Sequence, residues 1–240
     1  MSKFSILTYN ICLNRALSDV PNVLKEHAPE IVCLQEVTLG KKHSYQEYFP
    51  GYNLAATSNS FYRFGKTYGQ ATFYRKGIFY QTGSRSIILP KTYYELFLTM
   101  FTRKGPRTAL CTDLVFKENE RPLSVYNLHL TALMATNQAR NRQLKETLDE
   151  VEFENSDPVI ILGDFNYPFR KKGLEKIMKE YLLEEATSNL TYTYMQFMKM
   201  MKNRMKFDFV LYKDLKLVKT TLLDSYKKSD HYPVLSAFEI

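Results

Sequence analysis

Asn10, Glu36, His129, Asp164, Asp208 and the pair Asp230 and His231 share one feature: each lies in or beside a short apolar, strand-like run. The runs read FSILTYN, IVCLQE, LSVYNLHL, VIILGD, KFDFVLY and SDHYPVLSAF, and Asn166 follows in GDFN. Taken singly, each has an ordinary structural explanation. Asn10 suits a turn, Glu36 suits the start of a loop, and Asp164 with Asn166 suits an Asx-turn. A solitary histidine such as His129 is more often a hydrogen-bonded core residue than a catalyst. Asp208, flanked by two phenylalanines, resists such an explanation, because a carboxylate in an apolar strand needs a partner. Repeated exceptions to apolar patterning are most economically explained by one shared site. Four carboxylates, two asparagines and two histidines without thiolates favour a hard cation, Mg²⁺ with Mn²⁺ as a substitute. Clustered carboxylates tolerate one another around a divalent ion, and hydrolysis at phosphorus is the chemistry that uses such a cluster.

These residues need elements to position them. Strand-like runs recur from KFSILTYN to PVLSAFE, and helical spacing is confined to three stretches. Leu17, Val20 and Leu24 share a face, as do Leu144, Leu148 and Val151 within 136–153, and Leu174, Ile177, Met178 and Tyr181. Many strands with a few interspersed helices predict a mixed α/β architecture. Internal repeats, low-complexity tracts and Gly/Ser linkers are lacking, so 1–240 is expected to form a single domain.

The 240 residues are 45% hydrophobic and 24% charged, the balance of an ordinary globular protein. No apolar stretch reaches the length of a membrane span and MSKFSILTYN lacks a signal peptide's apolar core, so an intracellular, cytoplasmic address is expected. Cys12, Cys33 and Cys111 are too few and too scattered for a zinc or disulfide framework, and are expected as buried free thiols. The net charge of +8 suits a polyanionic partner such as nucleic acid. With no Trp but 18 Tyr and 16 Phe, any base stacking falls to those rings.

In order along the chain, TYN, LQEV, NLHL, GDFN, FDFVLY and SDHYPV resemble the signature blocks of the endonuclease/exonuclease/phosphatase superfamily, the deoxyribonuclease I-like fold. The blocks run from Tyr9 to Val234, nearly the whole chain. The resemblance implies a four-layer α/β/β/α sandwich of two packed mixed sheets with the site at one rim. It implies Glu36 as the main Mg²⁺ ligand, with Asn10 nearby and Asp230 beside the metal or the histidines. Asp164 would activate the attacking water, with Asn166 fixing that geometry. His231 would contact the scissile phosphate, oriented by Asp208, and His129 would hydrogen-bond the phosphate or protonate the leaving oxygen. The sequence departs from the abasic-site endonucleases in having TYN where they usually carry Trp before the Asn, and His129 where they more often place Tyr. GQATFYRKG with TYNIC is closer to the deadenylases, and HLTA followed by RNRQ also occurs in outline among sphingomyelinase-like members.

The leading expectation is therefore a metal-dependent nuclease acting on DNA or RNA. The alternative is a phosphoesterase for a phospholipid or inositol phosphate, and a third reading is a catalytically dead binding module on the same fold. By proximity to the motif blocks, Arg75, Lys76, Arg107, Lys199, Lys202, Arg204 and Lys206 are the candidate phosphate contacts. Tyr68 and Tyr167 are the candidate stacking rings. The basic segment KMMKNRMK (199–206) reads equally well as a solvated loop.

Overall fold

The computed structural model describes all residues except 1, 41–44, 93–106, 133–134, 152–156 and 199–200. One six-stranded sheet contains β1 (Lys3–Asn10), β2 (Ile31–Leu39), β3 (Tyr52–Arg63), β4 (Lys66–Arg75), β13 (Lys216–Leu222) and β14 (Val234–Glu239), in the order β13-β14-β1-β2-β4-β3. The other contains β5 (Phe79–Ile88), β6 (Thr108–Phe116), β7 (Arg121–His129), β8 (Val159–Asp164), β9 (Glu184–Glu185) and β12 (Asp208–Lys213), in the order β5-β6-β7-β8-β12-β9. A separate hairpin joins β10 (Tyr194–Met198) to β11 (Met201–Met205).

The central strands explain why so many runs read as continuously apolar: both of their faces are covered. Ile31 and Cys33 of β2, Ile160 and Leu162 of β8 and Val210 of β12 join the core between the sheets. Their neighbours Val32 and Leu34 pack outward with Val20, Val23 and Leu24 of α1 (Val20–His27). Ile161 and Leu211 pack outward against Leu144 and Leu148 of α2 (Asn137–Asp149) and Leu174 and Ile177 of α3 (Lys172–Glu180). The layers are thus helix, sheet, sheet, helix, the expected sandwich. Thr136 caps α2 by accepting a hydrogen bond from the Ala139 amide, and α1 ends at Ala28 in the left-handed region.

Both sheets use the same pairing pattern. Parallel β1 and β2 are flanked by antiparallel β14 and β4; parallel β8 and β7 are flanked by antiparallel β12 and β6. The carboxyl ends of the four central strands meet at one rim. Gly163 sets the close approach there: at φ +128, any Cβ would fall 2.0 Å from the carbonyl oxygen of Leu128.

Several expectations need correction. Glu36 does not end its strand; β2 runs on to Leu39, and Glu36 sits at a register shift between Gln35 and Val37 with φ 61. A bulge re-aims a side chain without ending the sheet, which the periodicity of a short run cannot reveal. Asp208 opens β12 rather than lying inside it. The basic segment 199–206, expected equally as a solvated loop or as a phosphate-contacting stretch, contains β11 of a hairpin. Cys33 and Cys111 are buried free thiols, whereas Cys12 is half-buried. No helix among the described residues is long and apolar enough to cross a membrane.

Candidate active site

Asp164 is the hub of the rim. Its Oδ2 accepts from Asn10 Nδ2 at 3.0 Å, and its Oδ1 accepts from the Asn166 backbone N–H at 2.9 Å. The second bond is the expected Asx-turn, closed with Asn166 at φ 55. The Asn166 side chain turns away and donates to Leu130 O, so it holds the neighbouring loop rather than the carboxylate. Nε2 of His129 and Nε2 of His231 each lie 3.6 Å from Asp164 Oδ2.

His231 is oriented from behind. Its Nδ1 is 2.8 Å from Oδ2 of Asp208, and its backbone N–H donates to Ser229 Oγ, which itself donates to Asn10 O. Asp208 is anchored through its own N–H to Thr193 Oγ1. Burial opposes a charge on His231, but Asp208 and Asp164 outweigh it and push its pKa up to about 10. His129 goes the other way: burial, the Arg107 cation and the His231 cation all hold it well below the usual histidine value. Burial raises Asp164 and Glu36, opposed in each by His231; Asp208 adds to the rise of Asp164 and Asp230 to that of Glu36.

On the β2 side, Glu36 Oε2 accepts the Leu13 N–H at 2.9 Å, and its Oε1 lies 3.9 Å from His129 Nε2. Asn10 Oδ1 accepts from the Cys12 N–H. Asp230 is partly buried, accepts from Ser229 Oγ at 3.3 Å, and pairs through its carbonyl with the Met195 N–H. This set of carboxylate and amide oxygens fits a hard divalent cation. The thiol of Cys12 is pushed up to about 12 by burial, Asp230 and Glu36, so it stays protonated and is a poor ligand. Asp164, Asp208 and His231 also present ligand atoms within 4.8 Å of one another, and Oδ1 of Asp208 is buried without a hydrogen-bond partner among the described residues. In that second group His231 Nδ1 and Asp208 Oδ2 are already engaged with each other.

The candidate substrate contacts divide. Arg107 lies at the site, donating to Ser60 Oγ and to His129 O, with its guanidinium 5.5 Å from the Phe61 ring. Arg204 is exposed on β11, 4.6 Å over the Tyr192 ring. Lys199 and the side chain of Lys202 lie outside the described residues. The others are placed elsewhere. Arg75 pairs with Glu30 at the far end of β4, six residues beyond Gly69 and therefore ~20 Å from the level of Glu36; Lys76 follows it. Lys206 is buried in an ion pair with Glu185. Tyr167 is fully buried with its hydroxyl on Asn141, and Tyr68 is buried with its ring stacked on Phe61. Neither tyrosine offers a face to a base.

Sequence reasoning missed Ser60, Ser229 and Thr193, whose hydroxyls bond the site residues. Ser60 lies in β3, whose small and polar residues (YNLAATSNSFYR) gave no strand signal. The β3–β4 turn also exposes Phe64, 76% accessible, with Arg63 4.8 Å over its ring.

The profile of the Endonuclease/Exonuclease/phosphatase family matches residues 7–231. No curated protein matches the chain. Solved structures of similar shape include the human Nocturnin catalytic domain with a bound sulfate anion, 19% identical over 99% of this chain and 94% of that one, TM-score 0.73. The mannosyl-6-phosphatase of Bacteroides thetaiotaomicron is 17% identical over 99% of this chain and 100% of its own, TM-score 0.75. D. rerio TDP2 complexed with a single-strand DNA product is 18% identical over the whole of both chains (100% and 100%), TM-score 0.70. At these identities the likeness is one of fold.

Proposed function

The chain belongs to the endonuclease/exonuclease/phosphatase family, and from that premise we propose that it is a Mg²⁺-dependent phosphodiester hydrolase, a nuclease acting on DNA or RNA. The observation that carries the reading is the placement of Asp164 within 3.6 Å of Nε2 of both histidines, with Asp208 behind His231.

Glu36, with Asn10 and Asp230, would hold the cation. When bound, a divalent cation supplies positive charge against the charge that develops on the phosphoryl oxygens. Asp164 takes the proton of the attacking water. Its two oxygens are fixed by Asn10 and Asn166, and burial raises its pKa towards the range useful for a general base. Asp208 holds His231 as an imidazolium whose Nε2–H faces the position of the phosphate. His129, held below its usual value by burial, Arg107 and His231, is the neutral counterpart, so the two histidines take opposite protonation states.

Nucleic acid is favoured by the net charge of +8 and by the exposed Arg204 on β11. The second reading is a small phosphoester, such as an inositol or sugar phosphate; in its favour is the similar fold of a mannosyl-6-phosphatase. The test is a panel run with Mg²⁺, Mn²⁺ or chelator: single- and double-stranded DNA, RNA with a poly(A) tail, abasic duplex, sphingomyelin, inositol phosphates and a sugar phosphate. Metal-dependent cleavage of an oligonucleotide supports the nuclease reading. Turnover confined to a small phosphoester or lipid replaces it.

A further inference from the structure

Ser60 and Arg107 lie on the Nδ1 side of His129, opposite the Nε2 that faces Asp164 and Glu36, and neither belongs to the metal or base groups described above. Nδ1 of His129 is 3.2 Å from Ser60 Oγ, and Arg107 donates to that same oxygen at 3.1 Å. Arg107 also donates to the backbone carbonyl of His129, at 3.3 Å. The ring is further fixed by Phe61, edge-to-face at 5.6 Å.

The direction of the bonds in this chain follows from counting protons. A guanidinium only donates, so one lone pair of Ser60 Oγ is committed to Arg107. Ser60 is 1% exposed, so its hydroxyl proton needs a protein acceptor, and His129 Nδ1 is the acceptor in hydrogen-bond reach among the described residues. Nδ1 must then be bare. The ring proton resides on Nε2, which faces two acceptors, Oδ2 of Asp164 at 3.6 Å and Oε1 of Glu36 at 3.9 Å. Both ends of the ring give the same answer.

We infer that Ser60 and Arg107 are positioning residues that lock His129 as a neutral imidazole with its proton on Nε2, making it a hydrogen-bond donor to the reacting phosphate and not the proton donor to the leaving oxygen. A neutral ring that surrendered its remaining proton would become an imidazolate, which is no acid step for an enzyme near neutral pH. The lock itself is independent of substrate; only the role toward phosphate rests on the hydrolase reading.

The experiment is ¹⁵N–¹H spectroscopy of the histidine rings in the metal-free full chain, with the His129 signal assigned by its loss in His129→Gln. The expected wild-type pattern is a protonated Nε2 and an unprotonated Nδ1. Ser60→Ala should convert it to a tautomer mixture, and Ser60→Thr, which keeps the hydroxyl, should restore it. With a substrate in hand, Ser60→Ala should lower kcat by about tenfold with little change in KM. A protonated Nδ1 in the wild type overturns the inference, and the wild-type spectrum suffices for that even if a variant fails to fold. An unchanged Nε2–H pattern in folded Ser60→Ala overturns the role of Ser60. Failure of every substrate in the panel would refute the hydrolase reading and leave the tautomer result standing.

Discussion

Asn10, the last residue of β1, donates through Nδ2 to Oδ2 of Asp164, the last residue of β8, at 3.0 Å. The bond crosses from one sheet to the other and ties together two strand ends that are 154 residues apart in sequence. Asn10→Ala leaves a buried carboxylate oxygen short of a donor, a defect of ~1–3 kcal/mol. The expected outcome is a lowered melting temperature together with a fall in kcat of ~10-fold or more, because Asp164 also loses its orientation. A variant with wild-type kinetics would show that the amide is only a structural tie.

His231→Gln and Asp208→Asn should both slow turnover, the first by ~10²–10⁴-fold, the scale of a lost proton-handling group. Asp208→Asn acts through orientation and charge, so it should lower kcat, and because it strips a buried imidazolium of its partner it should also lower the melting temperature near neutral pH. A large drop in melting temperature with near-normal rate, at either position, would return these residues to a purely structural role.

Glu36→Ala should remove cation binding measured by calorimetry with Mg²⁺ or Mn²⁺, and should abolish turnover at ordinary Mg²⁺ concentrations with the circular dichroism spectrum intact. Activity that persists undiminished in chelator would exclude the metal reading.

The metal-free protein should lose stability as pH rises. His231 is raised from 6.5 to about 10, so its contribution is complete below 6.5 and disappears as pH climbs through 10. Asp164 is raised from 3.8 to about 7 and acts in the same direction in the lower window, since the folded state again holds the extra proton. Denaturant melts across this range should show His231→Gln flattening the upper part and Asp164→Asn the lower. Stability that rises with pH in the chelated protein would contradict both assignments.

What was legible in the sequence was whatever lay in the strand periodicity and the short blocks. Asn10, Glu36, His129, Asp164, Asp208 and His231 fall together because they stand at one rim of strands whose apolar character was plain. What stayed illegible was the supporting frame. Ser60 and Thr193 are ordinary small polar residues, and only a long-range contact distinguishes them from solvated ones. The basic and aromatic candidates failed for the same reason: Arg75, Lys206, Tyr68 and Tyr167 are near motif blocks along the chain, but alternation and strand length carry them to the far rim or into the core. Sequence distance from a motif is a poor guide to which end of a strand a side chain occupies.

Arg204→Ala should weaken oligonucleotide binding similarly across sequences and reduce the slope of log affinity against log salt by about 1, the signature of one lost phosphate contact. Hydrolysis of bis-p-nitrophenyl phosphate should be unaffected, because Arg204 is exposed on β11, outside the carboxylate and histidine cluster. An unchanged salt slope would mean that the hairpin does not track the backbone of a polyanion.

The matching order of pairing in the two sheets has a consequence for how inactivation should proceed. Each sheet contributes an incomplete set: Asn10, Glu36 and Asp230 come with one, His129, Asp164 and Asp208 with the other, and His231 enters just before the return strand of the first. Neither set contains a working centre, so catalysis demands that the two be docked in register to within a fraction of an ångström. Low denaturant that loosens side-chain packing between the sheets would leave the strands and their amide signals whole while separating Asn10 from Asp164. Turnover is then a far sharper gauge of slippage between the layers than any measure of secondary structure, and should vanish well before the sheets melt.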